Sequence, residues 1–453
     1  MAGDSVFECT VGDVAALGRN SLVGGPFGSD LVSRDYVPSG VPVVRGSNIG
    51  HGRWVDGEFA YVAPEKADAL AANCAKRGDL VFTQRGTLGQ VALVPQNGAD
   101  RYLISQSQMK LTVDAQKADA LFLYYVFTSA EQQAYIRQNA IQTGVPHTNL
   151  GILRNTPLTL PPLAEQKAIA AVLGAFDDKI ELNRRMNATL EAMARALFQS
   201  WFVDFDPVRA KLDGRPPANL DPATAALFPE HLEDSLIGHI PKGWEVCSLA
   251  SKIKLLSGGT PKTSEPDYWD GDIPWYSVKD APSETDVWVI QSEKHVTKLG
   301  IENSAAQILP EGTTIISARG TVGKLALVGT PMAMNQSCYG VRGVKGYGDY
   351  FTYFALRQAT ADLQQRTHGT VFDTITRQTF ETLDCIFPPA NLTQAFDRTV
   401  APLLTKLRAN LHQSRTLATL RDTLLPKLLS GELSLPAAML AAQAGVAGTT
   451  DKV

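Results

Sequence analysis

Acidic side chains at short spacing are the first candidates for catalysis in this 453-residue chain. Asp177 and Asp178 are adjacent, and Asp204 lies two residues before Asp206. Two carboxylates held close together could serve as a general acid and a general base. Both pairs lie on or next to a long helical pattern, where a solvated face, a helix cap or a partner contact explains them better. The sequence therefore predicts no acid–base pair at these positions.

Catalytic motifs of other kinds are incomplete. Pro266 and Asp267 precede Ser277 and Lys279 at a spacing that faintly resembles a nuclease motif, but Ser277 occupies the position of the metal-binding carboxylate. The Pro-Pro pairs after Leu160 and Phe387 lack the preceding polar residue that amino-methyltransferases need, and no GxxxxGK(S/T) loop for ATP phosphates is present. The five cysteines form no CxxC pair, and the seven histidines do not cluster at ligand spacing. We therefore expect no catalytic residue and no metal site.

A duplicated motif points to the organisation of the chain. RGTLGQVALV begins at Arg85, and RGTVGKLALV begins at Arg319. A Gln-Ser pair follows in each half, within ISQSQMKL and within AMNQSCYGV. Such self-similarity indicates an internal duplication.

Each copy of the motif lies within a predicted α/β unit of about 150 residues. A Gly-rich turn and a short strand come first (GGPFGS and VPVVRGSN, then SGGTPK and IPWYSVKD). An aromatic helical run follows, and an apolar strand then ends at a Pro-Pro pair. The glycines after Arg85 and Arg319 predict a tight turn or a close backbone approach.

A long helical pattern follows each unit. Residues seven apart form one stripe, and the same stripe recurs in the second half: Ile169, Phe176, Asn183, Leu190 and Leu197, then Phe396, Leu403, Asn410, Leu417 and Leu424. This spacing predicts a left-handed coiled coil about 38 residues long, or roughly 57 Å. If the helices pair antiparallel, Asn183 and Asn410 should meet and set the register. Pro402 and Pro426 predict a late start or kink and a bent or shortened end. An ordinary amphipathic helix pair inside one large domain remains the alternative.

Composition and charge limit the class of protein. The chain is 44% hydrophobic and 19% charged, which is typical of a soluble globular protein. No secretory signal and no apolar run near the ~20 residues of a membrane span are found. These features and the scattered cysteines predict a cytoplasmic protein. Residues 1–150 carry 12 Lys and Arg against 14 Asp and Glu, and residues 241–390 carry 14 against 16. Neither unit is net basic, although nucleic-acid binders usually present a basic face.

The chain resembles the specificity subunit of type I restriction–modification systems over about residues 7–435. The sequence segments that support this resemblance most specifically are WFVDFDPV from Trp201, PATAALFP, IPKGWEV and the closing LRDTLLPKLLSGEL. PPLAEQKAIAAVLGAFDDKIELN, GGPFGS and the RGT motifs add to it. The resemblance implies an α/β (α+β) fold: two similar target recognition domains, joined by two long antiparallel helices that form a coiled-coil spacer with a pseudo-twofold internal repeat.

The expected segments follow this order. They are a first target recognition domain (1–160), a central helix (about 164–203) with a linker (161–240 in all), a second target recognition domain (241–389), a C-terminal spacer helix (390–435) and a flexible tail (436–453). The linker is expected to contain a short helix at about 222–228.

The resemblance also implies function and partners. Each domain would recognise half of a bipartite, non-palindromic DNA site in the major groove, and the helices would set the half-site spacing and dock two methyltransferase subunits. The chain would be non-catalytic and hold no cofactor. S-adenosylmethionine would belong to the methyltransferase, and ATP and Mg²⁺ to two motor–nuclease subunits where a system has them. Because neither domain is net basic, we expect the isolated chain to bind DNA weakly. The alternatives are a protein-interaction adaptor without DNA readout, and an enzyme with an unfamiliar site.

The duplication sorts the candidate DNA contacts. Residues present in both halves should serve a function common to both domains, and polar residues that differ should determine sequence specificity. The shared set, expected to contact phosphate or to serve the scaffold, is Arg85, Thr87, Gln106, Arg319, Thr321 and Gln336. The expected base-contacting set is Arg45, Ser47, Asn48, Arg53, Gln108, His147 and Asn149 in the first half and Lys262, Tyr276, Ser277, Lys279 and His368 in the second. Arg or Lys would suit guanine, and Asn or Gln would suit adenine. For Arg85 and Arg319 a turn-bracing role remains open.

Overall fold

The computed structural model describes residues 6–50, 52–142, 144–366 and 374–436. The chain divides into two units. The first comprises Met1–Ile180 with Thr416–Val453, and the second comprises Glu181–Arg415. Each unit contains one globular domain and a part of each of the two longest helices.

The first domain is built from short strands and short helices. Its strands are β1 (Phe7–Thr10), β2 (Leu22–Gly24), β3 (Tyr36–Val37), β4 (Val41–Val44), β5 (Ala60–Val62), β6 (Cys74–Lys76), β7 (Leu80–Thr83), β8 (Val91–Leu93), β9 (Arg101–Ile104), β10 (Gln108–Leu111) and β11 (Pro157–Leu160). Its helices are α1 (Val11–Val14), α2 (Pro64–Ala69), α3 (Ala120–Thr128), α4 (Ala130–Gln138) and α5 (Leu150–Arg154). The strands form sheets in the orders β2-β10-β7-β8 and β3-β5-β4-β9-β6, and β1 pairs with β11.

The second domain repeats this plan. Between α6 (Leu163–Phe202) and the domain lie α7 (Asp206–Leu212), α8 (Pro222–Ala225) and the hairpin β12 (Leu232–Ser235) and β13 (Gly238–Pro241). The domain strands are β14 (Glu245–Ser248), β15 (Ile253–Ser257), β16 (Trp269–Tyr276), β17 (Trp288–Val289), β18 (Lys294–Val296), β19 (Thr314–Ser317), β20 (Leu325–Val328), β21 (Ala333–Met334), β22 (Cys338–Gly343) and β23 (Asp384–Phe387). Its helices are α9 (Lys298–Glu302), α10 (Asp349–Arg366) and α11 (Arg377–Thr382), and α12 (Ala390–Leu429) follows. The sheets have the orders β15-β22-β19-β20-β17 and β18-β16-β21, and β14 pairs with β23.

The two longest helices, α6 and α12, have 40 residues each, and their parts in the second unit pack antiparallel. In the second unit, Phe198 packs edge-to-face against Phe396 with ring centroids 5.8 Å apart, while Asn183 contacts Asn410. As residue numbers rise along α6, those of its partners on α12 fall. The predicted fold class, with two similar α/β domains and two long antiparallel helices, is confirmed.

The seven-residue stripe describes the helix packing only in part. Asn183, Asn187, Glu191, Ala194 and Phe198 are buried, and they follow one another at spacings of four, four, three and four residues. Leu190, a member of the expected stripe, is only half-buried against the same core. An α-helix that does not supercoil has 3.6 residues per turn. Its buried face therefore shifts gradually relative to a repeat of strictly seven residues.

The late helix start expected at Pro402 was wrong, and the alternative of a kink there stays a prediction. Helix α12 begins at Ala390 and continues through Pro402. Pro402 cannot donate a hydrogen bond to the carbonyl group of Arg398, and both residues lie on the exposed side of the helix. Val400 and Leu404 on either side are fully buried and hold the helix in place. Near the other end, α12 continues three residues beyond Pro426 and ends at Leu429, short of the expected residue 435.

Candidate nucleic-acid interface

In each domain two parallel strands end side by side. In the first domain Val44 of β4 lies opposite Ile104 of β9, and in the second Tyr276 of β16 lies opposite Met334 of β21. The carboxyl ends of parallel neighbours lie at the same edge of a sheet, so the loops that follow them are also neighbours. These loops, which we call the loop edge, are 45–48 with 105–107 in the first domain and 277–280 with 335–337 in the second.

A side-chain clamp fixes the first loop in both domains. Asn48 Oδ1 accepts a hydrogen bond from Arg45 N at 3.0 Å, and its Nδ2 donates to the carbonyl oxygens of Asp56 and Glu58 at 3.2 and 3.0 Å. The clamp thus ties the turn after β4 to the segment that enters β5.

Asp280 is the equivalent clamp in the second domain. Its Oδ2 accepts hydrogen bonds from Ser277 N at 2.7 Å and from Ser277 Oγ at 2.8 Å. Its Oδ1 accepts from Glu293 N at 2.7 Å. The turn after β16 is therefore tied to the segment that enters β18, as in the first domain.

The RGT loops join the same edge. Gln84 N donates to the Ser107 carbonyl at 2.7 Å, and Ala318 N donates to the Ser337 carbonyl at 2.8 Å. A third segment closes over each RGT loop, because Thr148 N donates to Gln84 O at 3.0 Å and Ile375 N to Ala318 O at 2.9 Å. The loop edge of each domain therefore includes the start of the RGT loop, 85–87 in the first domain and 319–321 in the second.

Glycines make the sharp turns within these loops possible. Arg85 and Arg319 are both exposed, and the glycine after each has a left-handed φ, 98° at Gly86 and 78° at Gly320. Most other residues avoid this region. The predicted tight turn after each arginine is confirmed.

The Gly-rich turns near each domain's start press against the loop edge. A Cβ atom on Gly25 would lie 1.9 Å from the Ser105 carbonyl oxygen, and one on Gly258 would lie 1.8 Å from the Asn335 carbonyl oxygen. No other residue type fits without moving the backbone. The duplicated turn therefore buttresses the duplicated loop in both halves.

Gln106 and Gln336 tether the same turns. Gln106 Nε2 donates to the Gly28 carbonyl at 3.1 Å and to the Leu31 carbonyl at 2.8 Å. Gln336 Oε1 accepts a hydrogen bond from Thr260 Oγ1. Both contacts are internal to the domain, and a scaffold or phosphate role for the shared residues remains a prediction.

The second domain has a polar cleft of about 520 Å³ at its loop edge. The cleft unites four predicted residues, Ser277, Lys279, Arg319 and Thr321, and adds Glu293 and Lys294. Three basic groups line the cleft beside two carboxylates, that of Glu293 and that of Asp280 in the adjoining turn, so the cleft carries a small excess of positive charge even though the domain is not net basic.

In the first domain, Arg45, Ser47, Arg85 and Thr87 are exposed at the loop edge. His147 is half-buried, and its backbone exchanges hydrogen bonds with Ile141 at 2.8 and 3.1 Å. Exposed side chains on a clamped frame can reach a ligand without breaking the fold.

Four residues that were expected to contact bases are buried, which corrects that expectation. Asn48, Gln108 and Tyr276 are fully buried, and Arg53 is 8% exposed. Asn48 is the clamp described above, and Gln108 accepts a hydrogen bond from Ser105 Oγ inside the sheet. Burial raises the pKa of Tyr276, whose ring belongs to the core of its domain. None of the four presents a free polar group to a base edge.

Arg53 instead binds helix α6. Its Nη1 donates to the Gly174 carbonyl at 3.2 Å, its Nη2 pairs with Asp178, and its guanidinium lies 4.6 Å from the Trp54 ring centroid. A buried cation needs such partners, so Arg53 serves to anchor the domain to the helix.

Two further candidates, Asn149 and Lys262, do not join the loop edges as free side chains. Asn149 caps α5, because its Oδ1 accepts from Ile152 N at 2.9 Å. Lys262 pairs with Glu265 at 2.8 Å. His368 lies outside the described residues.

The acidic pairs are structural. Asp177 accepts a hydrogen bond from Tyr125 Oη at 2.6 Å and from Arg421 Nη1 at 2.6 Å, which joins α3 and α12 to α6. Burial, with Asp177 beside it, raises the pKa of Tyr125. Asp204 and Asp206 accept hydrogen bonds from side chains at the end of α6. Within the described ranges, no group of three His, Cys, Asp or Glu side chains is arranged to hold a metal ion.

The two stripe asparagines lie in direct contact. Asn183 Nδ2 lies 3.4 Å from the Asn410 carbonyl oxygen and donates to Ser414 Oγ at 3.1 Å. Asn410 Nδ2 donates to Asn187 Oδ1 at 3.0 Å. The two helices thus use the same pair of positions, an asparagine and the residue four after it, in reciprocal contacts. That these contacts set the register stays a prediction.

Comparison with known proteins identifies the family of the chain. Residues 35–192 and 241–418 match the family model for the type I restriction modification DNA specificity domain. The chain belongs to the family of type I restriction–modification specificity subunits. The predicted family is thereby confirmed.

Relatives and a solved structure cover most of the chain. The HindI specificity subunit of Haemophilus influenzae is 26% identical over 406 residues, which cover 80% of this chain and 88% of the relative. The MjaIX specificity subunit of Methanocaldococcus jannaschii is 27% identical over 362 residues, covering 79% and 78%. The S subunit from M. genitalium has a similar fold, with a TM-score of 0.54, 18% identity and coverage of 94% and 97%. In the described ranges, no helix is long and apolar enough to span a lipid bilayer.

Proposed function

We propose that this chain is the DNA sequence-recognition subunit of a type I restriction–modification complex. Each domain recognises one half of a bipartite, non-palindromic site in the major groove. The observation that carries the proposal is the duplicated loop edge, in which one backbone frame presents different exposed side chains. A protein adaptor without DNA readout is not favoured, since the family is defined by DNA specificity.

The frame and the side chains divide the work of recognition. Clamps, RGT loops and Gly-rich turns recur in both domains and hold the loops in place. Arg45 in the first domain corresponds to Ser277 in the second, and Ser47 corresponds to Lys279, because each follows the matching strand at the same distance. Different donors at matched positions recognise different bases. The two half-sites should therefore differ in sequence.

Partner subunits supply the chemistry in this proposal. Two methyltransferase subunits dock on the paired helices and flanking segments, bring S-adenosylmethionine and methylate adenine. Where motor–nuclease subunits are present, they bring ATP and Mg²⁺.

A methylation assay tests the proposal. The full chain and its methyltransferase partner are incubated with S-adenosylmethionine and a library of random duplexes, and the methylated sequences are determined. We expect a two-part motif with an unspecified gap. A complex that methylates without sequence preference, or a chain that methylates without its partner, would contradict the proposal.

A further inference from the structure

The register of the sheets shows which residues of the two domains occupy matching positions beside the loop edges. Val43 of β4 pairs with Ala60 of β5, and Trp275 of β16 pairs with Lys294 of β18. Val43 and Trp275 hold the same place, each being the penultimate residue of its strand and paired on the other side with β9 or β21. Lys294 therefore occupies the position of Ala60.

Two lysines and one glutamate thus distinguish the second loop edge. Lys294 replaces Ala60, Glu293 replaces Phe59 before it, and Lys279 replaces Ser47. By the rule that unshared residues specify, this trio is the strongest candidate for base recognition in the second domain.

The fold holds the trio together and leaves it free to bind. Lys279, Glu293 and Lys294 are exposed and line one cleft. Asp280 joins their segments, because it accepts hydrogen bonds from Ser277 N and Glu293 N at 2.7 Å each. Among the residues that the structure describes, neither lysine forms an ion pair. Lys294 Nζ lies 5.7 Å from the Trp269 ring centroid, which supports the side chain without neutralising it.

We propose that the second domain recognises a G·C base pair through Lys279, Lys294 and Glu293. Guanine presents two adjacent acceptors in the major groove, N7 and O6, and cytosine presents the N4 amino donor. Two ammonium groups match the acceptors, and one carboxylate matches the donor. Adenine places an amino donor beside N7, so it would leave one lysine facing a donor. The inference rests on the proposed function and adds the identity of one base pair.

Substitutions that copy the first domain test the proposal. Lys279→Ser and Lys294→Ala introduce the residues that the first domain tolerates at the same positions. The control is Lys324→Gln, which removes one positive charge from the same domain and copies Gln90 of the first RGT motif. Lys324 is exposed and does not line the cleft. Each full-length variant is studied in complex with the methyltransferase partner, after thermal unfolding shows that it is folded.

The measurement is the methylation rate on duplexes that vary one base pair at a time. The half-site of the second domain is identified with a chimaera in which another family member supplies residues 241–389. We expect the wild-type complex to prefer G·C at one position of that half-site by roughly tenfold or more. Lys279→Ser and Lys294→Ala should each reduce this preference at that position alone, and Lys324→Gln should keep it.

The two proposals fail in different ways. If both lysine variants weaken activity equally on every duplex, as loss of phosphate contacts would, the G·C proposal is overturned and bipartite recognition stands. A second half-site that requires no G·C base pair would also overturn the G·C proposal and leave bipartite recognition standing. If the wild-type complex shows no bipartite preference at all, the proposed function itself fails.

Discussion

At the scale of single residues, the loop edge depends on glycines that touch backbone carbonyl groups. Gly25→Ala should lower the free energy of unfolding by about 2–3 kcal/mol, because the new Cβ needs a backbone shift that overpacking of this kind makes costly. The contact is with the Ser105 carbonyl oxygen, 1.9 Å from the ideal Cβ position. Urea unfolding of the full chain measures the change, and methylation assays should show weakened recognition of the first half-site.

Gly28→Ala provides the control for this prediction. Gly28 lies three residues further along the same turn, and no atom lies within 4 Å of its ideal Cβ position. Its substitution should change the free energy of unfolding by less than about 0.5 kcal/mol. Equal stability of the two variants would show that the turn does not buttress the loop.

The candidate site could be predicted from the sequence only where the side chain is exposed. Residue type suggested Asn48, Gln108 and Tyr276 as base contacts, but type alone does not reveal burial, and all three face the interior. Lys294 was missed because it lies in no shared motif. Its match to Ala60 becomes visible only through strand pairing, which is a long-range property of the fold.

At the scale of elements, Asp177 joins two helices to α6 within the first unit. Asp177→Asn should lower the free energy of unfolding by about 2–4 kcal/mol, because it leaves Arg421 without its better-buried charged partner. The side chain of Asp177 is 12% exposed and that of Arg421 is 27% exposed. Chemical denaturation followed by circular dichroism would measure the loss.

Asp422→Asn is a matched control, since Asp422 pairs with the same arginine. Its side chain is 63% exposed and its Oδ1 lies 2.8 Å from Arg421 Nη2. An exposed pair is screened by water and contributes about 0–1 kcal/mol. If Asp422→Asn proved as harmful as Asp177→Asn, burial would not be the source of the stabilisation.

The long helices were largely predictable because their apolar pattern is sustained over many turns. Helix α6, expected at about 164–203, spans Leu163–Phe202. The effect of Pro402 was not predictable, because it depends on which side of the helix faces solvent. The two loop edges were less predictable than the helices, since their strands are short and pair with residues far along the chain.

At the scale of the whole molecule, the lengths of α6 and α12 should set the gap between the half-sites. Inserting seven helical residues after Ile180 and seven after Arg415, where the two units divide, lengthens both helices by about 10.5 Å. At ~3.4 Å per base-pair step, the unspecified gap should grow by about 3 base pairs, with both half-site sequences unchanged. Methylated duplexes selected from a library of different gap lengths would reveal the new spacing.

Inserting the same seven residues after Gly214 is the control, because it lengthens the chain without lengthening either helix. Gly214 is exposed, has a left-handed φ of 68° and lies in the turn after α7, so an insertion there leaves α6 and α12 intact. The gap should then remain as in the wild type. Lengthened helices that still select the original gap would mean that the spacing is fixed elsewhere, for example by the methyltransferase partners. A gap that changes in both variants would likewise rule out the helices as the measuring element.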